Sequence, residues 1–176
     1  ATVAIVHNGI IENFVEIKQR LIAEYNVKFK SETDSEVIAH LIAAHMKNYS
    51  TLEDAVYAAT LEMRGAYALV VVSSKDPNKI VAVRKDAPLI AGIGKGENFI
   101  ASDIPALMKH CKEIYLIENG EMVVVTADEI KIYDEERNPV QRDVFHVTWD
   151  ADAAEKEGYS HFMLKEIHEQ PKAISE

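Results

Sequence analysis

The sequence predicts an α+β domain in which helices pack on mainly antiparallel sheet. Three observations carry that expectation. Between Glu12 and Met63, apolar residues recur at helical spacing. After Gly65 the chain turns to short β-branched runs separated by turn residues, in hairpin order. Helices first and strands after argue against a series of βαβ units. At 176 residues, with 48% hydrophobic and 27% charged residues, the chain is long enough for one domain with its own core.

The elements follow in order. Val3-Ala4-Ile5-Val6 reads as a buried strand that ends in a sharp turn at Asn8-Gly9. Phe14, Ile17, Leu21 and Ile22 mark an amphipathic helix between Glu12 and Tyr25, and Val27 to Phe29 suits a short strand. Val37, Ile38, Leu41, Ile42 and Met46 line a second helix. Leu52, Val56, Ala59, Leu61 and Met63 line a third, opened by Ser50 or Thr51.

Ala66 to Val72 and Lys79 to Arg84 are strands turning at Lys75-Asp76-Pro77-Asn78. Leu89 to Ile93 pairs with Asn98 to Ala101 around Gly94-Lys95-Gly96. Pro105 to Cys111 reads as a short helix, with Ser102 and Asp103 as its capping residues. Ile114 to Ile117 and Glu121 to Val125 flank Asn119-Gly120, a type I′ hairpin signal. Glu129 to Tyr133 and Val140 to Val144 are later strands, turning at Arg137-Asn138-Pro139. After Val147 comes an acidic stretch with Asp150, Asp152, Glu155 and Glu157, then a helix from Tyr159 to Gln170 stopped by Pro171.

Two short motifs carry candidate chemistry: His7-Asn8-Gly9-Ile10-Ile11-Glu12-Asn13 and Ser31-Glu32-Thr33-Asp34-Ser35-Glu36. Gly9 can take positive φ and admit a ligand close to the backbone. Asn8 adds an amide with two donors, and an amide beside a backbone N–H is what an oxyanion hole needs. In the second motif Ser, Thr or Asp can cap a helix, and a spare carboxylate there suits a substrate ammonium group. Read by themselves, the first is a turn and the second a cap.

Other classes are set aside. A net charge of −10 argues against a general nucleic-acid or anionic-membrane surface. Gly92-Ile93-Gly94-Lys95-Gly96 lacks the phosphate-loop pattern and reads as a flexible hairpin. His40 and His45, and His161 and His168, lack metal-ligand spacing, so no metal and no cofactor are expected. Cys111 is the single cysteine, so no internal disulfide forms, and it reads as structural. Arg64, Lys85 and Lys165 read as surface charges or ion-pair members. No signal peptide opens the chain and no apolar run reaches membrane-spanning length, which fits a cytoplasmic protein.

Taken together, HNGIIEN and SETDSEVIAHL, Arg64-Gly65-Ala66-Tyr67-Ala68, the run Gly96-Glu97-Asn98-Phe99-Ile100-Ala101-Ser102-Asp103, and the run His161 to Ile167 followed by Glu169-Gln170-Pro171 closely resemble, in order and from end to end, the glutaminase domain of the glutamine–fructose-6-phosphate aminotransferases. That resemblance implies a four-layer α/β/β/α sandwich of the N-terminal-nucleophile hydrolase type. It implies an N-terminal Cys that attacks the side-chain amide of glutamine with its own α-amino group as base, and ammonia delivered to a sugar-isomerase domain. Asn8 and Gly9 fall on the family's oxyanion hole; Asp34 falls on the carboxylate that holds the glutamine α-amino group, with Thr33 beside it.

The same resemblance implies the boundaries: residues 1–149 as the later part of a type-2 amidotransferase domain, and 150–176 as its end and the start of a connector. The chain is expected to be a fragment that lacks the family's nucleophile and Arg-containing loop upstream and the isomerase domain downstream, so that alone it is inactive. The partners implied are L-glutamine, the missing segment and domain, and a second copy of the parent. The isolated chain is expected to dimerise, aggregate or be marginally stable. Two alternatives stay open: a non-catalytic binding or regulatory module of the same fold, and the equivalent domain of another class II amidotransferase.

Overall fold

The computed structural model describes residues 2–148 and 158–175. The chain opens with strand β1 (Val3–Ile11) and three helices, α1 (Phe14–Tyr25), α2 (Asp34–His45) and α3 (Leu52–Thr60). Strands follow: β2 (Gly65–Ser73), β3 (Asp76–Lys85), β4 (Ile90–Ile93), β5 (Asn98–Ala101), β6 (Glu113–Leu116), β7 (Met122–Val125), β8 (Ile130–Tyr133), β9 (Pro139–Val140) and β10 (Phe145–His146). Helix α4 (Phe162–Ser175) comes last. The strands form a six-stranded sheet in the order β1-β2-β3-β7-β8-β9 and a four-stranded sheet in the order β10-β6-β4-β5. All of these strand pairs are antiparallel, as expected of an α+β fold.

Side-chain alternation assigns the layers. Tyr67, Leu69 and Val71 of β2, Val81 and Val83 of β3, and Met122 and Val124 of β7 face the helices, where they meet Leu21, Ile38, Leu41, Ile42 and Val56. Each such side chain, fully buried, contributes about 1.5–3 kcal/mol. The alternate residues Ala68, Ala82, Val123 and Val125 face the second sheet and meet Leu89, Ala91 and Ile117. On the outer face of that sheet, Ile90 and Ile114 are covered by Leu107 and Met108. The layers thus run helices, six-stranded sheet, four-stranded sheet, then the helical turn around residues 104–110.

Several local expectations give way. The strand does not end at Asn8-Gly9: β1 continues to Ile11, paired residue for residue with β2. Gly9 and Gly65 have φ of 119° and 129° within that ladder. A β-carbon at Gly9 would strike the Ala66 carbonyl, and one at Gly65 the Ile10 carbonyl. The glycines serve strand approach, not a turn. Val27 to Phe29 is no strand; Asn26, at φ 52°, ends α1 in a left-handed cap, and Val27 N–H donates to the Leu21 carbonyl.

Thr51, not Ser50, caps α3, accepting from Asp54 N–H at 3.2 Å. Leu61 lies past the end of α3 and is exposed. The β2–β3 turn falls at Ser74-Lys75, since Asp76 already pairs with Ser73. Residues 105–111 form a single 3₁₀ turn (Ile104–Ala106) followed by further turns, and Asp103 at its start makes no side-chain cap.

Asn119-Gly120 is not a hairpin, because β6 and β7 lie in different sheets. Asn119 clasps Asp86 instead, accepting from its N–H at 2.6 Å and donating to Oδ1 at 2.9 Å, while Gly120 N–H donates to the Arg84 carbonyl at 2.9 Å. The dipeptide turns the chain from one sheet to the other. Val144 lies outside the strands, and Pro171 sits inside α4 instead of stopping it. Lys165, expected as a surface charge or an ion-pair member, is the latter: it is buried and 3.7 Å from Glu169. The acidic stretch with Asp150, Asp152, Glu155 and Glu157 lies outside the described residues.

Candidate active site

Hydrogen bonds beyond the two ends of the β1–β2 ladder fix which way each β1 peptide points. Ser74 N–H donates to the Thr2 carbonyl at 3.0 Å, and Glu12 N–H to the Arg64 carbonyl at 2.8 Å. The register is unbroken between them. In an antiparallel pair the peptides alternate, so the even-numbered residues of β1 bond to β2. The N–H groups of His7, Gly9 and Ile11 therefore point away from β2. β1 is the outermost strand of its sheet, so they point to an open edge.

The second motif meets that edge. Thr33 is the N-cap of α2, its hydroxyl accepting from Glu36 N–H at 3.4 Å. Asp34, the first residue of the helix, turns its carboxylate to β1: Oδ2 accepts from Ile11 N–H at 2.9 Å and Oδ1 lies 3.8 Å from His7 Nδ1. Asp34 thus stands on the same edge as the Gly9 N–H, two residues along the strand. Thr33 does not join them; its hydroxyl caps α2 and touches Ser31 Oγ at 2.9 Å. The Asn8 side chain belongs to the opposite face of the strand, with Val6, where it lines a cavity of about 280 Å³ shared with Ala68, Leu89 and Ser102. Among the described residues the Asn8 amide has no hydrogen-bond partner.

Residues that sequence reasoning passed over hold these pieces. Glu36 accepts from Lys30 N–H at 2.8 Å, from Ser31 N–H at 2.6 Å and from Ser31 Oγ at 2.6 Å. The Ser31 hydroxyl, then the backbone N–H of Lys30, pull its carboxyl down to about 2. The spacing Thr33-x-x-Glu36 is a capping-box signal that points to it. Asn13 ties the end of the first motif to the next, donating to the Glu62 carbonyl at 2.8 Å and accepting from Arg64 N–H at 2.9 Å. Asn98 bridges the two sheets, donating to the Thr126 carbonyl at 2.9 Å and accepting from Gly94 N–H at 3.2 Å. Burial lowers the affinity of His7 for a proton, partly offset by Asp34.

Among the described residues no cluster of three or more His, Cys, Asp or Glu is placed to hold a metal, and no helix is long and apolar enough to cross a membrane. Cys111 packs beyond the four-stranded sheet against Leu107 and Phe99, and burial raises its thiol pKa.

Known proteins are similar to this chain in sequence and in fold. The chain is 53% identical over 175 residues to the glutamine–fructose-6-phosphate aminotransferase of Clostridium tetani and 55% identical over 175 residues to that of Clostridium perfringens. The match to the Aquifex aeolicus enzyme is 50% over 174 residues. The two clostridial matches take in 99% of this chain but 28% of each relative. Among solved structures, the Bacillus subtilis glutamine phosphoribosylpyrophosphate amidotransferase, complexed with ADP and GMP, superimposes with a TM-score of 0.64 at 25% identity. The overlap is 78% of this chain and 30% of that one. A glutamine aminotransferase class-II domain protein from Silicibacter pomeroyi shares the fold, with a TM-score of 0.54 at 17% identity over 79% of this chain and 69% of its own. The glutamine amidotransferase domain family matches residues 1–109. With more than half its length matched, the chain belongs to the glutamine amidotransferase domain family.

Proposed function

We propose that this chain is part of the glutamine-hydrolysing domain of an enzyme that makes glucosamine 6-phosphate from fructose 6-phosphate and L-glutamine. The observation that carries the reading is the pairing at one sheet edge of an unpaired Gly9 N–H with a carboxylate, Asp34, fixed to the same strand. In this reading the Gly9 N–H and the Asn8 amide stabilise the oxyanion that forms as the glutamine amide carbonyl is attacked. Asp34 receives the α-ammonium group of glutamine, and Thr33 fixes the helix start from which Asp34 projects. The chain spans 28% of the length of its clostridial relatives, so the attacking cysteine and the sugar-isomerase domain belong to other parts of a longer protein. Cys111, packed behind the other sheet, is not that nucleophile.

Residues 1–149 form the amidotransferase part and 150–176 lead to the isomerase. The parent is a cytoplasmic homodimer that needs no cofactor, metal, nucleic acid or membrane for this step. Identity of 53–55% to the two clostridial sugar enzymes, against 25% to the phosphoribosylpyrophosphate enzyme, favours fructose 6-phosphate as the ammonia acceptor. It also argues against a non-catalytic module.

The test is turnover by the full-length protein, following glutamate and amino-sugar release with fructose 6-phosphate or phosphoribosylpyrophosphate as acceptor. Glucosamine 6-phosphate formed only with the former is expected. Replacing Asn8 with Ala is expected to lower kcat by roughly 10²–10³-fold, the usual loss for one oxyanion donor. Glutamine turnover unaffected by that change would refute the assignment of Asn8, and no glutamate release at all would refute the reading.

A further inference from the structure

Asp34 is the first residue of a helix, a position from which a short carboxylate would ordinarily swing into water. Here both of its oxygens face β1. Oδ2 is held by the Ile11 N–H at 2.9 Å, and Oδ1 faces His7 Nδ1 at 3.8 Å. The His7 imidazole is itself nearly enclosed, 3% exposed, and its Nδ1 lies 3.0 Å from the Ser35 hydroxyl. Its other nitrogen, Nε2, is buried and has no hydrogen-bond partner among the described residues. The Asp34 side chain keeps 20% exposure, so a ligand can reach it.

We propose that His7 and Ser35 are positioning residues for glutamine recognition. A neutral His7 with its proton on Nδ1 donates to Ser35 Oγ, turns its N–H edge to Asp34, and fixes the carboxylate that receives the α-ammonium group. The assignment of that ligand rests on the glutaminase reading above. The tautomer follows from the surroundings. A proton on Nε2 would be buried without an acceptor, and a bare lone pair on Nδ1 would face a carboxylate. With the proton on Nδ1 the orphaned atom is only a lone pair, and the N–H lies beside the negative charge. The imidazole thereby joins the two motifs through their side chains, one supplying His7 and the other Asp34 and Ser35.

The experiment is steady-state glutamine hydrolysis by the full-length protein and its Ser35→Ala, His7→Leu and His7→Asn variants. Asp34 holds a part of glutamine that does not react, so loosening it weakens substrate and transition state alike and raises KM, not kcat. Loss of that charge–dipole contact, at 3.8 Å short of a hydrogen bond, corresponds to at most roughly a tenfold rise in KM for Ser35→Ala and His7→Leu. His7→Asn, whose amide nitrogen can occupy the Nδ1 position, is expected to restore KM to within about threefold of wild type, well inside that tenfold span. A merely structural role would lower kcat through loss of folded enzyme at unchanged KM, and that result overturns the proposal. Should His7→Leu fail to fold, Ser35→Ala and His7→Asn decide the matter by the same split. A wild-type enzyme with no glutaminase activity refutes the functional reading itself. An active enzyme with unmoved KM in Ser35→Ala refutes only the positioning role.

Discussion

At the scale of single residues, Gly9 is the most constrained position. Its φ of 119° is closed to side-chain-bearing residues, and an added β-carbon would collide with the Ala66 carbonyl in the partner strand. Gly9→Ala is expected to cost about 3 kcal/mol or to distort the ladder, the usual range for forced strain of this kind; urea unfolding of the variant measures it. Glu36 sets an acid limit. Its folded-state pKa, about 2 against an ordinary 4.5, means that the unfolded chain binds more protons between those values. Stability from Glu36 is therefore present above pH 4.5 and lost as pH falls towards 2. Glu36→Gln should flatten the stability profile in that window, and an unchanged profile would contradict the role given to it.

His7 works in the same direction at higher pH. Its folded pKa lies below the ordinary 6.5, so its contribution is complete above 6.5 and declines as pH falls below it. Comparing urea midpoints of wild type and His7→Asn at pH 7.5 and 5.5 isolates this part, with the larger drop expected in wild type.

At the scale of elements, capping decides where α2 begins, and with it where Asp34 points. Thr33→Ala removes the acceptor for the Glu36 N–H and should cost about 1 kcal/mol. Asn13 acts between elements, since it holds the β1–α1 junction to the loop that enters β2 through both ends of its amide. Asn13→Ala is expected to speed hydrogen exchange at Arg64 N–H while leaving the β3–β7 ladder protected. Equal acceleration throughout would mean a global loss of stability instead. The helices themselves were readable from periodicity, because Ile17, Leu21, Ile38, Leu41 and Val56 repeat with the helical turn and all are buried. The hairpin expected at Asn119-Gly120 was not, because a turn dipeptide carries no information on whether its flanking strands share a sheet.

At the scale of the whole molecule, β1 leaves an open edge on which Val6 and Ile10 are each 67% exposed. Unpaired N–H groups beside apolar side chains invite association with another strand. The chain by itself is expected to self-associate in a concentration-dependent way, which sedimentation velocity would detect. A monomer at every concentration would show that the edge is protected by other means.

The sequence by itself determined the helices, the alternation of the strands and the motifs that mark the family, because these depend on spacing of a few residues. It also singled out Asn8, Gly9, Thr33 and Asp34 as candidates. It read the Asn8-Gly9 segment as a turn, however, and gave no sign that His7 and Ser35 meet. Only the tertiary structure decided those points. Which β1 amides are free depends on the parity of a nine-residue register with β2, set by a partner more than fifty residues away. The Asp34 carboxylate meets that edge because α2 packs against β1, an arrangement that no local spacing encodes.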